Sequence, residues 1–317
     1  MIACAAPADV KSFCVVSVEE DGGDLAILDS AGKRLASVPV GSRPHEVEVS
    51  ADGHTAFVSQ FGITDYDSRI GTPGERVVAV DLRQARAAGS FIVPTGLGAP
   101  HGVKLRPGSN RELFVNVEAG GDSMLVFDVV SHRLLRRFAL PKLTHNFIFS
   151  TDGRALFSFA GVDGVSKIEA STGRIIAALT LPTSVRGLRL DGDGSLLAAA
   201  RGRVYRLNSE TLAIRDQFDT AVKGQLVYLE SLGHGRIAAP SLDDGGIVLV
   251  GPHSEASFVA TGKTPIIVRR APDGRLFVAN VDDDHLTVMD DRGDHVATFG
   301  HLRTPNGLGF GACPARH

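Results

Sequence analysis

PHEVEVSADGHTAFVSQ, from Pro44 to Gln60, is the stretch that decides the fold. Val47 and Val49 alternate with Glu46 and Glu48, a glycine-containing turn follows at Ala51–Gly53, and TAFVSQ supplies a second apolar run. Period-two alternation on either side of such a turn reads as two antiparallel strands. The same grammar returns in PHGVKLRPGSNRELFVN from Pro100, THNFIFSTDGRALFSF from Thr144 and TPIIVRRAPDGRLFVAN from Thr264. Weaker copies are VRGLRLDGDGSLLAAA from Val185 and GQLVYLESLGHGRIAAP from Gly224, and TPNGLGFG from Thr304 gives a first strand alone. Aligning the seven starts puts His45, His101, His145, Arg186, Gln225, Ile266 and Asn306 at one equivalent position. The spacings are 56, 44, 41, 39, 41 and 40 residues. A repeat of roughly 40–45 residues is the length of one four-stranded propeller blade.

Third strands follow each copy and end in a short polar residue suited to a tight turn: Asp81, Asp128, Glu169, Asn208 and Asp290. Fourth strands such as RLLRRFALP and RIIAALTLP lead on to the next copy. The N-terminal SFCVVSVEEDGGDLAILDSAGKRLASVPV lacks a first strand, and the C-terminus has a first strand without the rest. The prediction is an all-β, seven-bladed β-propeller of four-stranded antiparallel blades, one domain over 1–317. Its last blade is built from about 12–40 plus 304–311, closed by pairing the N-terminal strands with the C-terminal one, which removes an exposed edge. That antiparallel pairing puts Cys14 near Cys313 and predicts a latch disulfide if the chain meets an oxidising compartment.

Composition narrows the function classes. Hydrophobic residues make up 43% and charged residues 22%, enough apolar material for a sizeable core. A formal net charge of −3, with basic residues spread along the chain, leaves no footprint for nucleic acid or an anionic membrane. No apolar run approaches the ~18 residues that span a bilayer. The opening MIACAAPADVKSF lacks the charged start and long apolar run of a secretory signal. The chain therefore reads as cytoplasmic as written, with a periplasmic or secreted location after processing as the alternative. Three cysteines, Cys4, Cys14 and Cys313, lack the paired spacing of a zinc site. Neither GDGSL near Ser195 nor GLG near Gly96 forms a phosphate loop, so no nucleotide cofactor is expected, and no serine sits in a GxSxG elbow.

PHEVEVSADGHTAFVS, PHGV, THNF and LFVANVDDDHLTVMD resemble the YVTN-repeat β-propellers, a bacterial and archaeal group related to the lactonase-type propellers. The resemblance spans nearly the whole chain and implies the seven-bladed fold. For activity it implies only a menu of lactonases, lyases, electron-transfer partners and surface scaffolds. The chain departs from the pattern where Arg186, Gln225 and Ile266 replace histidine, and only Asn116 and Asn280 keep the asparagine that ends a typical YVTN strand.

First strands of propeller blades are innermost, so His45, His101 and His145, from three successive blades, are expected to line one channel mouth. Three neutral imidazoles suit one divalent transition metal, zinc, copper, iron or manganese, better than magnesium or calcium. They also suit acid–base work without an ion. A histidine in this place can equally well cap an inner turn. Glu118 is a candidate fourth ligand or general base, or else a solvated loop acid. Second strands return to the same mouth and bring Glu19, Gln60, Asn116, Arg201 and Asn280 toward it, beside Gln225 and Asn306. Arg186 and Arg201 read either as a clamp for a substrate carboxylate or phosphate or as members of internal ion pairs. The insertion FGITDYDSRIGTPGE, Phe61 to Glu75, accounts for the longer first spacing, and Asp65, Tyr66 and Asp67 make it a candidate cover.

These residues point to a small-molecule enzyme with a histidine-cluster site at the channel mouth, acting on an oxygenated, anionic substrate. The resemblance supplies the reaction type, lactone hydrolysis or a related lyase step. The alternative is a non-catalytic propeller whose rim loops hold a protein partner, as a scaffold or as a subunit docked on a redox enzyme.

Overall fold

In the computed structural model, residues 13–64, 70–109, 111–159, 164–253 and 255–315 are described. They form seven four-stranded antiparallel sheets arranged as the blades of a β-propeller. The only helical element among them is a 3-10 turn, Val281–Asp283. The inner strands are Pro44–Val49, Gly98–Leu105, Asn146–Phe149, Gly187–Leu190, Glu230–Gly233, Pro265–Arg270 and Pro305–Gly311.

Apolar content follows position in the blade. Second and third strands are sandwiched between neighbouring sheets and are buried on both faces, as in Thr55–Gln60 and Ser123–Asp128. Outermost strands alternate exposed and half-buried residues, as in Leu134–Ala139 and Ile175–Thr180. The core therefore lies between blades, as where Phe57 and Phe91 of one blade and Phe127 of the next pack in tilted or edge-on contact. Each such buried ring contributes about 1.5–3 kcal/mol relative to exposure. Third strands end as their polar residues predict: Asp81, Asp128, Asn208 and Asp290 each accept a hydrogen bond from a backbone N–H two or three residues on.

The closing blade joins both ends of the chain. Cys14–Glu19 pairs antiparallel with Pro305–Gly311, Cys14 opposite Gly311 and Glu19 opposite Pro305. Cys14 and Cys313 are disulfide-bonded with Cα atoms 5.0 Å apart. Glu19, fully buried, accepts two hydrogen bonds from the Arg34 guanidinium (2.7 and 2.8 Å) and one from Arg303 N (3.0 Å). It thus ties the closing strands together.

One predicted strand is displaced. The segment from Gln225 makes only isolated bridges, Arg201 with Gln225 and Leu226 with Ser241, before the short regular strand Glu230–Gly233. Tyr228 N donates to Arg186 O across the blade boundary (3.3 Å). Gly187 permits that approach, since a Cβ there would stand 2.5 Å from Tyr228 N.

Candidate functional site

The site begins with an irregularity in the inner strands. Pro44 pairs with Gln60 and Val47 with Val58, so His45 and Glu46 together face Ser59. Pro100 pairs with Val117 and Val103 with Val115, so His101 and Gly102 together face Asn116. Asn306 and Gly307 likewise face Val18. A two-against-one bulge interrupts alternation and re-aims side chains. Here it recurs at the register position that carries the histidines. Side chains fill the broken ladder: Ser59 Oγ accepts from Glu46 N (3.0 Å) and Asn116 Oδ1 accepts from Gly102 N (2.8 Å). The Asn116 amide donates in turn to His145 O (3.1 Å), joining two blades.

The three imidazoles form a row. His45 and His101 have ring centroids 4.3 Å apart, His101 and His145 4.2 Å, and all three residues are at most 4% exposed. At one end, Glu118 Oε1 lies 3.3 Å from His145 Nδ1. At the other, Asn306 Nδ2 donates to His45 Nε2 (3.2 Å) and to Glu20 Oε2 (3.3 Å). Because an amide nitrogen only donates, His45 Nε2 accepts and a neutral His45 carries its proton on Nδ1. Phe61 stands edge-on to His45 and His101, at 5.3 and 5.0 Å, and Tyr228 is 6.3 Å from His145.

Among the described residues, the ligand atoms fall into two overlapping triads rather than one three-histidine set. His45, Glu46 and His101 form one, and His101, Glu118 and His145 the other, each with its atoms within 4.8 Å of one another. A two-histidine, one-carboxylate set fits zinc and neighbouring transition ions.

Glu46 also leads inward. It accepts from Asn146 Nδ2 (2.9 Å), which also reaches the Tyr228 hydroxyl (3.2 Å), and its other oxygen lies 3.8 Å from Lys104 Nζ. Below the histidines, a cavity of about 320 Å³ is lined by the inner strands, with Glu48, Lys104, Arg189 and Arg269 on its wall. Lys104 Nζ is 3.9 Å from Glu48, and both Arg189 (2.6 Å) and Arg269 (3.9 Å) face Glu230. Burial, opposed by Lys104, holds the Glu48 carboxyl above the usual carboxylate range. Burial first, then the charge of Arg189, lowers Arg269, which stays a cation. A larger hollow of about 630 Å³, lined by Asp191, Asp193, Arg206, Asp216 and His234, shares no residue with the histidine cluster.

The other sequence candidates sit at several places around the ring. Arg201 is exposed and paired at the surface with Asp243 (3.3 Å), and the Gln225 amide donates to backbone carbonyls of Ser184 and Leu226. Arg186 directly precedes Gly187–Leu190, its carbonyl accepting from Tyr228 N. Glu19 belongs to the closing blade. Buried Asn280 bonds Thr261 and Thr287 beside His285. Gln60 ends its strand opposite Pro44. Asp65, Tyr66 and Asp67 lie outside the described residues, so the insertion is represented at the cluster by Phe61. Glu20, Glu46, Asn146 and Tyr228 went unpredicted. Only Glu46 and Asn146, each next to a register histidine, carried a signal in the sequence.

No protein-family model and no curated protein matches the chain. Solved structures do share its fold. A protein of unknown function from Desulfotomaculum acetoxidans superposes with a TM-score of 0.73 at 12% identity, over 96% of this chain and 100% of its own. A protein from Bacteroides fragilis, assigned provisionally as a 6-phosphogluconolactonase, gives 0.74 at 16% identity, over 96% and 99%. At such identities the likeness is one of fold.

Proposed function

We propose that the chain is a lactonase-like enzyme of the YVTN-repeat propeller group, opening a small anionic lactone by hydrolysis, or by a related lyase step, with one divalent transition metal held by His101, Glu118 and His145. The observation that carries this reading is the row of buried imidazoles ending on a buried carboxylate. The fold likeness to a provisionally assigned lactonase supports the reaction class. Bound there, a divalent ion supplies Lewis acidity to a substrate carbonyl. His45 does the proton work: its unprotonated Nε2 takes the proton of the attacking water, which displaces the Asn306 amide, and returns it to the departing ring oxygen. Phe61 keeps bulk water off His45 and His101, which strengthens every charge interaction in the site. Asn116, bonded to Gly102 N and His145 O, holds two of the histidine-bearing segments in register.

The test is metal analysis of protein purified without a histidine tag, beside a His45, His101 and His145 triple alanine variant. Stoichiometric metal in the parent, lost in the variant together with lactone hydrolysis, is expected. No bound metal and no affinity for added zinc, copper, iron or manganese would turn the reading to a protein-binding scaffold or redox-partner subunit.

A further inference from the structure

We propose that the channel half below the histidines is a binding site for a small organic anion, gripped by Arg189 and Arg269 with Lys104 on the facing wall. Three observations support it. The cavity is axial, since its lining comes from six of the seven inner strands, including Glu48, Lys104, Ile148, Arg189, Arg269 and Leu308. Its cations converge from three blades. Two of them share one carboxylate: Arg189 is bonded to Glu230 at 2.6 Å, while Arg269 stands 3.9 Å from the same side chain, beyond hydrogen-bond reach. Lys104 is likewise held off, 3.8 Å from Glu46 and 3.9 Å from Glu48. Arg189 and Arg269 repel one another, Glu230, Glu46 and Glu48 offset that charge without Arg269 or Lys104 closing a carboxylate hydrogen bond, and planar forks suit carboxylate and phosphate oxygens. The cavity is also reachable, with the Arg189 side chain 43% exposed.

Arg189 lies three residues along its strand from Arg186, the position equivalent to the histidines, or about 10 Å at ~3.3 Å per residue. The cavity shares no lining residue with the histidine cluster, so the anion site stands apart from the site proposed above. Anion binding itself needs no metal and no turnover.

The experiment is calorimetric titration of the full chain, metal-stripped and at low salt, with succinate and, separately, inorganic phosphate. Saturable binding of either is expected, succinate alone indicating a carboxylate end and phosphate alone a phosphate end. Arg189→Gln and Arg269→Gln should each weaken it about tenfold or more. Arg189 is exposed enough that its variant should fold, checked by thermal melting, so the proposal does not depend on half-buried Arg269. His101→Ala should bind the anion as the parent does, which separates failure of this site from failure of the metal reading. No saturable binding up to tens of millimolar, equal competition by chloride, or unchanged affinity in a folded Arg189→Gln would overturn the proposal.

Discussion

Gly102 has no room for a side chain. A Cβ there would stand 2.1 Å from Asn146 Oδ1 and 2.5 Å from Asn116 Oδ1, both atoms of buried residues. Gly102→Ala should lower stability by about 1–3 kcal/mol, read as a shift of the urea midpoint at constant slope. A parental midpoint would mean that the two asparagines can step aside. The histidines themselves were legible because a repeat aligns them, and equal register places equal residues at one depth. Glu46 was hidden because strict alternation sends neighbours of His45 to the other side, and the bulge that brings both together leaves no composition signal. Tyr228 was hidden because its repeat position carries unlike residues in the other copies, Glu48, Lys104 and Arg269 among them. A second prediction concerns Glu112, paired with Arg106 (2.7 Å) and Arg136 (2.5 Å). Burial, the largest influence, pushes its carboxyl up, but the hydrogen bonds from Arg136 and Arg106 outweigh it and the net shift is downward. A carboxyl depressed in the folded state stabilises above its unfolded value, near ~4.3, and loses that contribution as pH falls through the folded pKa. Glu112→Gln should therefore be less stable than the parent at neutral pH, with the gap closing in acid denaturant melts. A gap that stays constant into strong acid would refute the assignment.

Strands were the most readable level, since burial on both faces demands apolar runs and the turns between them demand glycine or a short polar residue. The Gln225 strand was the exception. Its apolar residues read as strand, yet Tyr228 turns toward Arg186 and Asn146 because Gly187 opens a gap there, a tertiary effect with no local trace. Glu19 shows the converse. Its place at the end of a second strand suggested a mouth residue, but Arg34 and Arg303 N claim the carboxylate for the closing blade. Removing Arg34 strands a fully buried carboxylate, so Arg34→Met should cost on the order of 3 kcal/mol. Glu19→Gln in the same background should recover part of the loss by removing the charge. If Arg34→Met melts with the parent, the pair is not holding the closing strands.

Closure is the property of the whole ring. Four strands of the closing sheet come from chain ends that are far apart in sequence, so an unfolded chain must bring them together at an entropic cost that grows with loop length. The Cys14–Cys313 bond spans 299 residues and removes that freedom from the unfolded state. On either side of the bond the chain grips the next blade as well, with Ala312 N bonded to Gly53 O (2.7 Å) and Ala315 N to Arg83 O (2.8 Å). Ladder and disulfide are thus separate devices for one task. Replacing both cysteines by serine should leave the fold and its circular dichroism intact while lowering stability by about 2–4 kcal/mol. Thiol titration of denatured, unreduced protein should find Cys4 alone reactive. Three reactive thiols would show that the chain matures where the latch does not form, and then the strand pairing of Cys14–Glu19 with Pro305–Gly311 alone must keep the channel, its histidines and its charged belt in register.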